Sequence, residues 1–274
     1  MKRTPAHDVS THDHWIVHPE GRLFARTWSP AGAAPQLHAG SPIVLFHDSL
    51  GCVALWRDFP ARLAHATGQH VVAYDRLGFG KSDPRAELPP VDFVGDEATH
   101  YFPSVREQLG LRRFIPFGHS VGGGMAIHCA ALYAADCRAL ITEAAQVFPE
   151  DRTLDGIRAA KEQFKDPAQV ERLARYHGAK ARWVLDAWIE NWLSEPFASW
   201  TMVGVLPQVH CPVLAIHGVD DEYGSTIHPD LIGEHAGGEA YVHVLPDTSH
   251  VPHRERPDLV LQIVADFLGG LAPI

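Results

Sequence analysis

A serine set among glycines, Gly118-His119-Ser120-Val121-Gly122, is the residue of this chain best suited to nucleophilic chemistry. The apolar segment Phe114-Ile115-Pro116-Phe117 precedes it, and a helix-like run of Met125, Ala126, Ile127, Cys129, Ala130, Ala131 and Leu132 follows. Strand, sharp turn, helix is the reading. The spacing fits G-x-S-x-G, in which the serine occupies a strained turn with its hydroxyl exposed above a sheet. Neighbours without a Cβ let the outgoing helix start close against the incoming strand. Five residues with three fixed positions recur by chance, so the serine carries weight only with partners.

A serine hydroxyl is a poor nucleophile near neutral pH. It needs a base within hydrogen-bond reach, and the base needs a carboxylate to hold it. In sheets of this kind the order is serine, then aspartate or glutamate, then histidine, each on a loop after a strand. Ser120, Asp221 and His250 fall in that order, just past the apolar runs 114–117, 212–216 and 240–245. Coincidence at three separate strand ends is much rarer than a chance pentapeptide. Asp221, third after Gly218, is preferred as the carboxylate, and its neighbour Asp220 is assigned to stabilising the loop. His250 is preferred to His253, which is expected at a helix entrance or the cap boundary. The oxyanion formed on attack needs preorganised N–H donors. Val121, next to the nucleophile at a helix N-terminus, supplies one. Ser49, within His47-Asp48-Ser49-Leu50-Gly51, supplies the other. His119 faces the packed turn and is read as structural rather than catalytic; with His47 and Asp48 it is carried as a residue that can border the substrate.

The elements that position these residues follow from the pattern of apolar runs. Trp15–His18 and Leu23–Trp28, separated by Pro19-Glu20-Gly21-Arg22, predict an opening hairpin. After a loop at Pro30–Pro42, unbroken apolar runs at 43–46, 71–74, 114–117, 139–142 and 212–216 predict strands buried on both faces, with a last strand at 240–245. Helical patterns lie between them. The expectation is an α/β fold with a mostly parallel eight-stranded sheet flanked by helices. From about Phe148 to Leu206 no strand pattern occurs. Three helix-like pieces, 154–164, 170–176 and 182–193, are punctuated by Pro149, Pro167, Pro196 and Pro207. This stretch holds Trp183, Trp188, Trp192 and Trp200, four of the seven tryptophans, which marks it as more than a solvated linker. It is expected to form a helical cap over the C-terminal strand edge, with Trp183, Trp188 and Trp192 as candidate substrate-binding residues. The expected division is a flexible arm at 1–14, a core at 15–147 and 207–274, and the inserted cap at 148–206. His7, Asp8, His12, Asp13 and His14 could be read as a metal tract, but their spacing matches no ligand set, so they are placed in the arm.

The bulk properties narrow the partners. A net charge of −10, from 23 basic and 33 acidic residues, repels phosphate backbones and anionic membranes, so no nucleic acid or membrane partner is expected. No stretch approaches the ~20 apolar residues of a membrane span. The polar start of the chain lacks a signal-peptide core, and Cys52, Cys129, Cys137 and Cys211 form no C-x-x-C pair. A cytoplasmic protein acting on a small molecule is expected, with no metal and no cofactor. The pattern is silent on oligomeric state.

His47-Asp48-Ser49-Leu50-Gly51, Asp75-Arg76-Leu77-Gly78-Phe79-Gly80-Lys81-Ser82, Gly118-His119-Ser120-Val121-Gly122-Gly123, Gly218-Val219-Asp220-Asp221 and Ser249-His250 together resemble the α/β-hydrolase superfamily, in its helical-cap form, from about Trp15 to Leu268. The resemblance implies a serine hydrolase acting on an ester, lactone or thioester. One departure stands out: relatives usually carry glycine where this chain has Asp48. An aspartate there could reshape the oxyanion loop, set a carboxylate beside the acyl group or, the preferred reading, make a local turn-stabilising hydrogen bond. Two other functions fit the same motifs. Hydrolysis of a C–C bond in a vinylogous diketone would need cations for a substrate carboxylate, with Arg152, Arg158 and Arg182 as candidates. A ligand-binding receptor on a hydrolase scaffold would keep the site without its turnover. A haloalkane dehalogenase is disfavoured, since Ser120 stands where it would need a carboxylate.

Overall fold

Short runs of apolar and β-branched residues, each too short for a helix and buried on both faces, build the centre of the molecule. The computed structural model describes residues 9–33, 37 and 40–272. In chain order the elements are β1 (Val9–His18), β2 (Gly21–Pro30), β3 (Ile43–Phe46), α1 (Phe59–Thr67), β4 (Val71–Tyr74), α2 (Phe93–Asp96), α3 (Phe102–Leu109), β5 (Ile115–His119), α4 (Val121–Leu132) and β6 (Leu140–Glu143). They continue with α5 (Asp151–Gln163), α6 (Pro167–His177), α7 (Ala181–Trp192), β7 (Val213–Gly218), α8 (Ile227–His235), β8 (Ala240–Leu245), α9 (Pro252–Glu255) and α10 (Pro257–Gly270). One eight-stranded sheet has the order β1-β2-β4-β3-β5-β6-β7-β8. β1 and β2 pair antiparallel with each other, β2 pairs antiparallel with β4, and all remaining pairs are parallel. The expected mostly parallel sheet of eight strands is therefore the one observed.

Alternation divides each central strand between two cores. Val44, Phe46, Val72 and Tyr74 face α3 and α4 on one side, while Ile43, Leu45, Val71, Ala73, Ile115 and Phe117 face α1 and α10 on the other. Each of these side chains contributes roughly 1.5–3 kcal/mol by leaving water, less for alanine. α4 is buried along nearly its whole length, as a helix apolar on all sides must be. Gly68 ends α1 in the left-handed conformation, at φ 66°, as its position after the last apolar turn predicts. Between β6 and β7 the chain makes α5, α6, α7 and short 3₁₀ turns, and no strand. No helix among the described residues is long and apolar enough to cross a membrane.

The expected flexible arm needs correction. Residues 9–14 belong to β1, which runs from Val9 and pairs with β2 over its full length. The segment escapes an alternation test because it is a polar edge strand, exposed at most positions. Arg26 holds Asp13 through both nitrogens, at 2.5 and 2.8 Å, and His14 Nε2 lies 2.9 Å from Thr27 Oγ1. His7 and Asp8, the rest of the proposed tract, lie outside the described residues, as does part of the 30–42 loop. α10 runs through Gly269 and Gly270 to its end.

The turn around Ser120 is packed backbone against backbone. A Cβ on Gly118 would lie 2.0 Å from Gly122 O, and one on Gly122 would lie 2.2 Å from Phe46 O. Neither obstacle is a movable side chain. Gly122→Ala should therefore cost roughly 3 kcal/mol or more, the upper end of overpacking penalties. Gly204→Ala, whose added carbon meets nothing within 4 Å, should change stability by less than about 0.5 kcal/mol. Urea unfolding of the two variants measures the difference.

Candidate active site

Three parallel strands end at the same edge of the sheet, and each delivers one polar side chain. β5 runs into Ser120, which has φ 55° and ψ −127°, a conformation non-glycine residues avoid. The turn is held by Ser120 N–H donating to Glu143 O at 2.8 Å and by Gly123 N–H donating to Ser120 O at 2.8 Å. β7 leads to Asp221, and the loop after β8 to His250. Ser120 Oγ stands 3.0 Å from His250 Nε2, and His250 Nδ1 stands 2.9 Å from each oxygen of Asp221. Asp221 Oδ1 also accepts the N–H groups of Tyr223 and Gly224, at 2.7 and 3.1 Å. A hydroxyl, an imidazole and a carboxylate thus form one hydrogen-bonded series, and a proton leaving the hydroxyl has a base to receive it.

The electrostatics suit that use. Burial works against a charged His250, but the hydrogen bond and charge of Asp221, helped by Glu222 and Asp48, raise it above the ordinary histidine value of 6.5. Burial likewise opposes an ionised Asp221, and the His250 hydrogen bond and charge outweigh it, lowering its pKa. His119, by contrast, is pushed down to about 4 by burial and then by the nearby His253.

Ser120 opens into a cavity of about 180 Å³. Asp48, Ser49 and Leu50 line it from the loop after β3, and Gln146 from the loop after β6. Thr153 and Ile157 of α5 and Trp188 and Trp192 of α7 line another side, with Glu222, Tyr223 and Val251 completing the wall. Among the described residues, no acceptor takes the backbone N–H of Ser49 or Val121, so both remain available beside the serine, Val121 at the N-terminus of α4.

Other expected site residues lie elsewhere. His47 is buried beneath the loop, where its Nδ1 donates to Asp48 O at 2.8 Å and its Nε2 accepts from Arg76 N–H at 3.2 Å. His119 sits behind the series and donates from Nε2 to His250 O at 2.8 Å. Trp183 packs on Phe79, with ring centroids 5.5 Å apart, over Gly78, where a Cβ would lie 2.3 Å from its ring. The expectation that these three border the substrate is corrected: none lines the cavity. Asp48 does. Its φ is not positive, so the loop imposes no left-handed strain on it. Its carbonyl oxygen accepts from Gly51 N–H at 3.2 Å and Arg76 Nη2 at 2.8 Å, but among the described residues its carboxylate makes no hydrogen bond. The expected turn-stabilising bond of that side chain is therefore absent. The three arginines considered for a substrate carboxylate are engaged away from the cavity: Arg152 with Asp221 O at 2.9 Å, Arg158 with Asp155 at 2.7 Å and Arg182 with Asp186 at 3.1 Å. Sequence reasoning missed Gln146, Thr153, Ile157, Glu222 and Tyr223. The strand-end rule that found Asp221 would have flagged Gln146, three residues past β6.

His119, Glu143 and His253 are buried together, with their ligand-type atoms all within 4.8 Å of one another. Their bonding is mostly spent within the fold. His253 Nδ1 meets Glu143 Oε2 at 2.5 Å and His119 binds the His250 carbonyl, while Glu143 Oε1 has no partner. The group reads as a brace behind the series more readily than as a metal centre.

The parallel sheet, the strained serine turn and the converging strand ends define an α/β hydrolase. The chain belongs to the alpha/beta hydrolase family, whose model matches residues 43–263. Human serine hydrolase BPHL is 26% identical over 204 residues, covering 72% of this chain and 69% of that protein. The bifunctional esterase/perhydrolase DCH of Acinetobacter calcoaceticus is 26% identical over 233 residues, covering 73% and 79%. Among solved structures, the enol-lactonase from Burkholderia xenovorans LB400 superposes with a TM-score of 0.72 at 18% identity, covering 93% of this chain and all of that one (100%). Proline iminopeptidase from Mycobacterium smegmatis gives 0.70 at 22%, covering 94% and 98%. These two structural likenesses establish the fold.

NMR titration of the His250 ring should give a midpoint above the ordinary histidine value of 6.5. Asp221→Asn should move it down by removing the charge that holds the proton, whereas His119 should stay neutral from about pH 5 to 8. Because the native value is raised, the stability gained from this proton is full below ~6.5 and lost as pH rises through the native value.

Proposed function

We propose that the chain is a cofactor-independent serine hydrolase that cleaves an ester, lactone or thioester of a small acid through an acyl-enzyme. The observation that carries this reading is the continuous hydrogen-bonded series Ser120–His250–Asp221 at the floor of the cavity, with distances of 3.0 and 2.9 Å. Ser120 Oγ attacks the carbonyl carbon while His250 Nε2 takes its proton. The N–H groups of Ser49 and Val121 receive the charge that develops on the carbonyl oxygen, where a positioned donor is worth about 3–4 kcal/mol. His250 then returns the proton to the leaving group. Water follows the same path: His250 deprotonates it, it attacks the acyl carbon, and Ser120 is released with its proton restored. Asp221 holds the ring and offsets the imidazolium at each stage.

Residues 148–206 serve in this reading as the cap of a core formed by the flanking segments, because α5 and α7 bring Thr153, Ile157, Trp188 and Trp192 over the serine. The small volume, about 180 Å³, suits a short acyl group better than a long chain. Alignment with a serine hydrolase and an esterase/perhydrolase over most of the chain supports the same bond class. The C–C hydrolase reading gains nothing from the lining, which carries Asp48 and Glu222 and none of the three cap arginines.

Ser120→Ala should abolish turnover of p-nitrophenyl acyl esters while leaving the melting temperature within a few degrees of the parent. A fluorophosphonate probe should label Ser120 in the folded protein. Undiminished turnover in the variant removes the assignment, and failure to label favours a receptor. Since His250 must be neutral to accept the proton and its pKa is raised, kcat/KM should fall with acid through a midpoint above 6.5.

A further inference from the structure

Gln146 lines the cavity, is only 3% exposed, and stands beside the reacting serine without a full set of partners. Ser120 Oγ lies 3.4 Å from Gln146 Oε1, a long contact, and its proton has a better acceptor in His250 Nε2 at 3.0 Å. The carboxamide nitrogen donates to no acceptor among the described residues. The surrounding chain is anchored on both sides. Ala144, at φ 50°, turns the strand exit, Val147 N–H donates to His228 Nδ1 at 3.1 Å, and Val147 O accepts Met202 N–H at 2.8 Å. The side chain is thus presented to the cavity by fixed backbone.

Resting on the serine-hydrolase reading above, we propose that Gln146 is a specificity residue that binds a hydroxyl carried on the carbon next to the scissile carbonyl, so that the substrate is an ester or thioester of a 2-hydroxy acid. An attacked carbon stands about 3–3.5 Å from the serine oxygen. A group that must also reach the carboxamide beside that oxygen is therefore attached one bond from the carbonyl. The carboxamide offers both donors and an acceptor, and a hydroxyl matches it in either orientation of the amide. Neighbouring charge narrows the choice. Asp48 and Glu222 line the same space, so a carboxylate at this position would be repelled, whereas a neutral hydroxyl is not.

The test compares phenyl 2-hydroxybutanoate with phenyl butanoate in the intact protein and in Gln146→Leu, a change of similar volume that deletes both polar atoms. The parent should favour the hydroxy ester in kcat/KM by about tenfold or more. Gln146→Leu should lose that preference, the hydroxy ester losing about tenfold more in kcat/KM than the plain ester. Gln146→Asn, which withdraws the amide by one methylene, should give an intermediate ratio and serves as the test if the leucine variant does not fold. The same ratio in parent and variants, or an equal loss on both esters, overturns the assignment. If Ser120 takes a fluorophosphonate probe and the parent cleaves both esters equally, the Gln146 proposal fails while the hydrolase reading stands. If Ser120 is not labelled and neither ester is cleaved, both fall together.

Discussion

Backbone meeting backbone, without a side chain between, is the constraint from which the rest of the site follows. Gly118 closes on Gly122, and Gly122 closes on the carbonyls of Phe46 and His47, where an added Cβ would lie 2.2 and 2.7 Å away. That contact presses the loop after β3 against the first turn of α4. It also accounts for Ser120 keeping a backbone conformation that costs on the order of 1–3 kcal/mol, because strand, helix and loop together leave no room for another. The position of α4 and the conformation of Ser120 are therefore one geometric fact. The buried faces of the sheet supply the stability that sustains it.

A second layer keeps the three strand ends in register. Glu143 reaches both sides of the site: its carbonyl accepts Ser120 N–H and its carboxylate binds His253, three residues beyond His250. His119, adjacent to the serine, holds the carbonyl of His250. The loops bearing Ser120 and His250 are thus cross-tied through the neighbours of these two residues. Burial, and then the nearby His253, keep His119 neutral, so its bond to the His250 carbonyl is made by an uncharged ring at physiological pH.

The fold was legible because parallel strands buried on both faces are continuous apolar runs, and because loops that leave such strands at one edge must converge. That geometry made Ser120, Asp221 and His250 recognisable as a set before any distance was known. Less accessible was the direction in which a side chain points. Trp183 and Trp188 lie five residues apart, roughly 140° around a helix, so a tryptophan-rich helix could not present both to one cavity. His47 and His119 sit beside reactive positions in sequence but face backbone carbonyls, a choice made by tertiary contacts. The first part of β1 was hidden for another reason: an edge strand solvated along its length needs no apolar alternation. Gln146 leaves a fainter mark in the sequence, because an amide carries no charge pattern.

The lining charges bear on how a catalytic cycle ends. Asp48 and Glu222 border the cavity, and none of Arg152, Arg158 and Arg182 lines it. On the proposed ester reading a neutral substrate would meet no charge repulsion there, whereas its hydrolysis would leave a carboxylate sharing the space with Asp48 and Glu222. Like charges at close range in a partly desolvated pocket repel by more than they would in water. The proposed reaction would thus turn a compatible guest into an incompatible one, and the two carboxylates in the cavity wall would favour departure of the acid.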